Sequence, residues 1–508
     1  MRTVIGRTDH VVVVGAGLAG LSAALHLLGA GRQVTVLERG TTVGGRMGRT
    51  EVDGFRIDTG PTVLTMPELV DDALGAVGRS LAELVTLTKL DPAYRARFAD
   101  GSHIDVHTDP DAMEAEVREQ AGAACAAGYR QLRAWLTALY DAEFTRFIGA
   151  NFDSPWDLVS SGAARRDLLS LARLGGFGRL GPQVARLLPD ERLQRLFSFQ
   201  ALYAGLAPRS ALGAYGVIAY LDTVAGVYFP RGGMHAVAQA LADAATGAGA
   251  QLRCSTEVTR LQRDAAGDRV SAVHTAAGER LACDAVVLTP DLPLVDRLLG
   301  HPHRRRVGTR WSPSCVVIHG GVPAEVAAGW PDPAHHTIDF GAAWRRTFDE
   351  LVAGGKPGAG RLMSDPSLLV TLPTRTDPTL APDGHDLCSV LAPCPNLESA
   401  PLDWDALGPA YAAELLRVLA GRGWAGIAEQ LTVHDVLTPA DWAAQGMAAG
   451  TPFSAAHTFT QTGPLRRGNL VPGLTNAVLA GCGTTPGVGV PTVLISGRLA
   501  ASRITGRR

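Results

Sequence analysis

Residues 11–39 read VVVVGAGLAGLSAALHLLGAGRQVTVLER, and this stretch constrains the fold more than any other. Val11 to Val14 form a β-branched run suited to a strand buried on both faces. Gly15, Gly17 and Gly20 follow in G-x-G-x-x-G register and open a helix rich in Ala and Leu, reaching Gly29 or Gly31. A second strand, Val34 to Leu37, ends at Glu38, about twenty residues past the glycines. Gly15 makes the tight turn, Gly17 lets the backbone approach a pyrophosphate, and Gly20 lets the helix pack on the strand. The helix N-terminus presents unpaired N–H groups to phosphates. Ala16, Leu18, Ala19 and Arg39 belong to the same stretch and are placed in the site with the glycines. Glu38 is able to accept hydrogen bonds from a ribose diol, and its charge disfavours a 2′-phosphate. The motif alone is weak; the strand–turn–helix–strand context with the acid in place is what gives it weight.

Two further segments follow. Thr41-Thr42-Val43-Gly44-Gly45-Arg46 comes after the acid, and Gly54 to Thr62 comes soon after that. Gly44 and Gly45 allow backbone close to an extended ligand, and Arg46 is able to pair with a pyrophosphate. Gly60, Pro61 and Thr62 close the second segment. In this order the segments resemble the large flavoprotein group of amine oxidases and carotene desaturases, which implies FAD as the cofactor. No second G-x-G-x-x-G with a strand before it appears, so no built-in NAD(P)H site is expected. Electrons from the reduced flavin then go to another acceptor, a quinone or oxygen.

Composition narrows the class. At 508 residues, 46% hydrophobic and a formal net charge of −2, the chain has the profile of a globular protein of two or three domains, with no field to attract nucleic acid. Its 7 cysteines lie far apart without a C-x-x-C pair, which argues against a disulfide framework or zinc site and for a reducing cytoplasm. No metal-ligating pattern is found. The N-terminus lacks the apolar region of a signal peptide, and no apolar stretch is long enough to span a bilayer.

Along the chain the expected class is α/β: a discontinuous Rossmann-like FAD-binding domain, a mixed-sheet substrate domain and a helical membrane-associating subdomain. The FAD-binding parts are assigned to 1–70, 228–290 and 466–508, a substrate or helical lid region to 71–227, and the substrate domain to 291–465. Helical periodicity is read from about 70 to 88 and from about 110 to 225. Strands are expected at Gln251 to Arg253, Val258 to Leu261, Val270 to Thr275, Cys283 to Thr289, Ser314 to His319 and Leu368 to Leu372. His335-His336 are read as loop residues.

The C-terminal segment Asn476-Ala-Val-Leu-Ala-Gly481-Cys-Gly483-Thr-Thr-Pro-Gly487-Val-Gly489-Val-Pro491 resembles the signature of bacterial-type phytoene desaturases. Tyr228-Phe-Pro-Arg-Gly-Gly-Met234, Phe197-Ser-Phe-Gln200 and the Phe55 to Thr62 segment are similar to motifs of the same family, so the resemblance spans the chain. It implies a Gly-rich loop before a helix whose N–H groups meet the flavin pyrimidine edge, stabilising negative charge on the reduced ring. Gly481, Gly483, Thr484, Gly489 and Val490, together with Val258, are its implied cofactor contacts. Cys482 is read as a packing residue and not as a covalent flavin link.

The substrate implied is a long apolar polyene such as phytoene. A hydride leaves a carbon beside the conjugated system for flavin N5, and a proton leaves the neighbouring carbon. An apolar tunnel with good orientation matters more here than acid–base machinery. Phe197, Phe199, Tyr203, Tyr215, Tyr220, Tyr228 and Phe229 are candidates for its lining. Asp157 resembles an acid proposed as a proton handler in related desaturases, although Ser160 stands where an Arg is expected one turn later; a helix-start acid is the competing reading. Residues 165–199 carry Arg165, Arg166, Arg173, Arg179, Arg186, Arg192 and Arg195 among leucines, a pattern able to lie in a headgroup layer. Peripheral attachment to the inner face of the cell membrane is the expectation. Other classes stay open: a flavin-dependent carotenoid isomerase or oxidase, an amine oxidase, or a non-enzymatic carrier of prenylated ligands.

Overall fold

The computed structural model describes residues 1–300, 308–331, 333–352 and 356–507. Among them a five-stranded parallel sheet runs in the order Gln251–Arg253, Gln33–Leu37, His10–Val14, Ala285–Leu288, Ala477–Leu479. The first strand sits in the middle with Val11, Val12 and Val13 fully buried, as its uninterrupted β-branched run requires. The five strands come from three separated parts of the chain, 10–37, 251–288 and 477–479, so the sheet forms only after long loops have closed.

The helix Leu18–Gly29 packs on this sheet, and the terminal helix Val490–Thr505 packs on that helix. Their close approach has a specific cause. A Cβ on Gly497 would strike the Ala19 carbonyl and the Ala23 amide, and Ser22 Oγ donates to the Leu494 carbonyl at 2.8 Å. Both helices therefore start on the same side of the sheet, at the carboxyl ends of its strands.

A second, seven-stranded sheet runs Thr432–Leu437, Ser314–Pro323, His385–Cys394, Leu368–Thr371, His336–Asp339, Tyr94–Arg97, His103–Val106. One face, with Val316, Ile318, Val370 and Val390, packs with Leu415, Leu416 and Leu419 of the helix Trp404–Gly421. The other face looks toward the first domain and lines a cavity.

Three local expectations change. The helical reading of about 70–88 is interrupted: helix Pro67–Gly75 stops, Gly78 takes φ +75°, the short turn Leu81–Leu84 restarts from a Ser80–Glu83 capping box, and Leu87–Lys89 is a strand. Tyr94–Arg97 and His103–Val106, inside the 71–227 segment, are strands that extend the second sheet. His336 is not in a loop but opens the strand His336–Asp339, with His335 just before it. The long helix Pro110–Glu143 ends in a π-turn at Phe144–Ile148, and short helices at Gly162–Arg173, Leu180–Leu187 and Glu191–Leu196 follow.

Candidate active site

One cavity of about 1260 Å³ lies between the two sheets and the helical region. That exceeds an ordinary small-ligand pocket. Gly15, Gly17, Leu18 and Ala19 form one end of it, facing Gly44 and Gly45. The Gly44 amide donates to the Ala16 carbonyl at 2.9 Å, which docks the two loops side by side. Gly44 and Gly45 take φ of +104° and +57°, conformations that a side chain would strain. Gly20 does not face the cavity; a Cβ there would run into the Gly15 carbonyl, so it serves the helix–strand packing.

Glu38 lines the cavity and also organises the loop. Its Oε2 accepts from the Ala16 amide at 2.8 Å and its Oε1 from the Gly40 amide at 2.7 Å. Arg39, Gly60, Pro61, Thr62 and Val258 continue the wall. Arg46 also reaches it, but its guanidinium is already engaged: Nη2 donates to Asp291 Oδ2 at 2.6 Å and Nη1 to Cys482 Sγ at 3.0 Å. Burial opposes its charge, yet Cys482 and Asp291 together hold it above the usual arginine value. Its Nε is buried without a partner.

At the far side Gly481, Cys482, Gly489 and Val490 line the cavity, where the terminal helix begins at Gly489 with φ +124°. Gly483 and Thr484 do not line it. Gly483 packs against Leu292, and the Thr484 hydroxyl donates to the Arg467 carbonyl at 2.7 Å. Cys482 is buried against Arg46, and burial raises its thiol pKa.

Asp157 is a capping acid. Its carboxylate accepts from the Asp153 amide at 2.6 Å and the Ser154 amide at 3.1 Å, within a capping box at Pro155–Val159. Pro155 and Leu158, not Asp157, lie on the cavity wall. Of the aromatic candidates, Phe199, Tyr203 and Tyr215 line the cavity. Phe197 instead packs on Tyr129 at 5.9 Å, Tyr220 stacks on Tyr140 at 4.3 Å, and Phe229 meets His335 at 4.5 Å.

The cavity also holds polar side chains that the sequence reading did not single out. Glu143, at the last turn of the long helix, is 6% exposed, and its Oε1 has no hydrogen-bond partner. Burial pushes its carboxyl well above the usual glutamate value. Asp222, in the π-turn Leu221–Ala225, is pushed up to about 7 by the same cause. His457 lies against Gly487 of the C-terminal loop, where burial, then the Arg466 charge, keeps it neutral. No spacing in the sequence marks these positions, because each comes from a different element.

The mouth of the cavity is apolar on the outside too. Trp156 (78% exposed), Leu169, Phe177, Phe459 and Leu465 are exposed large hydrophobics, and Phe177, Phe459 and Leu465 also line the cavity. Arg165, Arg166, Arg173, Arg179 and Arg186 are exposed in the same segment, whereas Arg192 and Arg195 pair with Asp190 and Glu191. No helix among the described residues is long and apolar enough to cross a membrane.

Neither helix end that opens on the cavity has a side-chain cap or an acid in its first turn. With the Gly15–Gly17 and Gly44–Gly45 cradle and the unpartnered Arg46 Nε, that leaves donors for a pyrophosphate at one end and for an electron-rich ring edge at the other. The residues fit FAD, and the fold and site together define a flavin-dependent oxidoreductase. Comparison with known proteins agrees. The flavin-containing amine oxidoreductase family matches residues 18–505, and the chain belongs to that family. A phytoene dehydrogenase of Streptomyces griseus is 62% identical, covering 100% of this chain and 97% of that protein. A zeta-carotene-forming phytoene desaturase of Myxococcus xanthus is 33% identical, covering 97% of this chain and 93% of the relative. A putrescine oxidase structure shares the fold with a TM-score of 0.60 at 16% identity, over 98% of this chain and 99% of that one.

Proposed function

We propose that the protein is an FAD-dependent desaturase of phytoene or a related acyclic carotene, working toward lycopene in carotenoid biosynthesis. The observation that carries this reading is a cavity that runs from the glycine cradle to an apolar, outward-facing mouth. When bound, FAD supplies the hydride acceptor. The chain's own residues do the rest. Phe199, Tyr203 and Tyr215, with Val317, Leu369 and Leu391 from the second sheet, hold a polyene without polar handles and exclude water. The two helix N-termini would hold the cofactor at its two ends and favour negative charge on it. Glu143 takes the place first considered for Asp157: its unpartnered carboxylate oxygen receives the proton lost from the neighbouring carbon.

The substrate is dissolved in lipid, and the rim of Trp156, Leu169, Phe177 and Phe459 beside exposed arginines suits insertion into an anionic bilayer surface with the mouth downward. A quinone or oxygen then serves as terminal acceptor. An amine oxidase reading is disfavoured by this apolar mouth, since an amine needs a polar approach. Expression in a colourless, phytoene-accumulating host tests the assignment. Coloured carotenes in the pigment extract are expected, red for four desaturation steps and yellow for fewer; unchanged phytoene would reject it.

A further inference from the structure

Four side chains on the cavity face of the second sheet do not suit a hydrocarbon. His319 stands opposite Ser389, Ser389 opposite Thr371, and Thr371 opposite His336, in unbroken register across four adjacent strands. Residues directly opposite one another project from the same face, so the four form one row. All four line the cavity and all are buried by nine-tenths or more. Two residues along each strand the matching row is Val317, Leu391, Leu369 and Ile338, which also lines the cavity and is wholly apolar. The wall therefore changes from apolar to polar over one step of the pleat.

Hydrogen bonding within the row is incomplete. His319 Nδ1 lies 2.8 Å from Ser389 Oγ, and His336 Nδ1 lies 3.0 Å from Thr371 Oγ1. His319 Nε2 is buried with no partner. Burial lowers the two histidines to about 4 and about 3, so both rings are neutral at physiological pH and each carries one N–H. If Ser389 donates to Nδ1, the free Nε2 of His319 is a donor. If Nδ1 donates instead, the Ser389 hydroxyl proton is free. Either arrangement leaves one hydrogen without a partner in a row that lines the cavity.

Resting on the flavoenzyme reading above, we infer that the His319–Ser389–Thr371–His336 row is a binding subsite for the oxygen of an isoprenoid ligand, a carbonyl or hydroxyl carried on an otherwise apolar body. Two sources share that chemistry: a prenylated quinone, and a polyene with an oxygenated end. A hydrocarbon such as phytoene slides over the apolar row and leaves the polar one unsatisfied, so the row is not needed for the substrate itself.

The test is equilibrium binding to the FAD-loaded protein in detergent. The probes are a decyl-substituted benzoquinone, decylbenzene as its oxygen-free counterpart, and a monohydroxylated acyclic carotene beside the parent hydrocarbon. An oxygenated probe is expected to bind at least about tenfold more tightly than its hydrocarbon counterpart, the worth of one well-made hydrogen bond in a dry site. His319→Leu and Ser389→Ala should erase that preference, with flavin content and Tm as checks on folding. Thr371→Val keeps the shape of its site and should reduce the preference if the bulkier change at His319 fails to fold. Preference in the quinone pair identifies a quinone subsite, and preference in the carotene pair identifies an oxygenated polyene. Equal affinities within both pairs, or a preference that survives every substitution, would overturn the inference. A protein that still desaturates phytoene in that case loses only this subsite; a protein that never holds flavin loses the function with it.

Discussion

Glu143 is a carboxyl group in a nearly dry place, and its consequences are measurable. Burial lifts its folded-state pKa above the unfolded value of about 4.3, so between the two values the unfolded chain holds fewer protons than the folded one. Stability therefore falls as pH rises through that window, and Glu143→Gln should flatten this part of a Tm-against-pH curve. An unchanged slope would place the titration elsewhere. For catalysis the sign is opposite, because only the ionised form accepts a proton. The desaturation rate should rise with pH through the raised value, and Glu143→Gln should lower it about a hundredfold or more while flavin content holds. A variant as fast as the parent would remove Glu143 from the chemistry. Gly20 makes a different point at the same scale. Gly20→Ala drives a methyl into the Gly15 carbonyl, and a loss of about 2 kcal/mol together with poor flavin loading is expected by thermal melting and absorbance.

Among elements, the pair formed by the first and last helices decides whether the cofactor has two ends to hold. Gly497→Val would wedge them apart at Ala19 and Ala23, so the purified variant should lose most of its flavin on gel filtration. Retention of a full complement would mean that the two N-termini need not be held together. The first of these helices was legible in the sequence because its signals are local: three glycines, an acid and two β-branched strands lie within one short stretch. The last was legible through the spacing of Gly483, Gly487 and Gly489. What escaped reading depends on register between distant strands. Nothing near Tyr94 or His103 announces that they pair beyond His336, and no pattern within one strand links His319 to Ser389 and Thr371. Asp157 was visible as an acid near a helix start, but its two backbone bonds, which fix its carboxylate in a cap, needed the loop geometry. Glu143 stayed hidden because burial, not sequence context, makes it unusual.

At the level of the whole molecule, cofactor cradle, apolar tunnel and outward-facing mouth lie on one path. Attachment by the rim should be both apolar and electrostatic. Replacing Trp156, Leu169 and Phe459 by serine, or reversing Arg165, Arg166 and Arg173 to glutamate, should each weaken co-sedimentation with anionic liposomes, and the second effect should mimic added salt. Binding that ignores both changes would move the contact to another face. The path itself is tested most directly by an anaerobic experiment. Purified protein carrying its flavin is mixed with liposomes containing phytoene, and the oxidised flavin absorbance is followed in the absence of any acceptor. The band should bleach, with a desaturated carotene appearing in matching amount. A band that stays unchanged while phytoene is recovered intact would contradict the account.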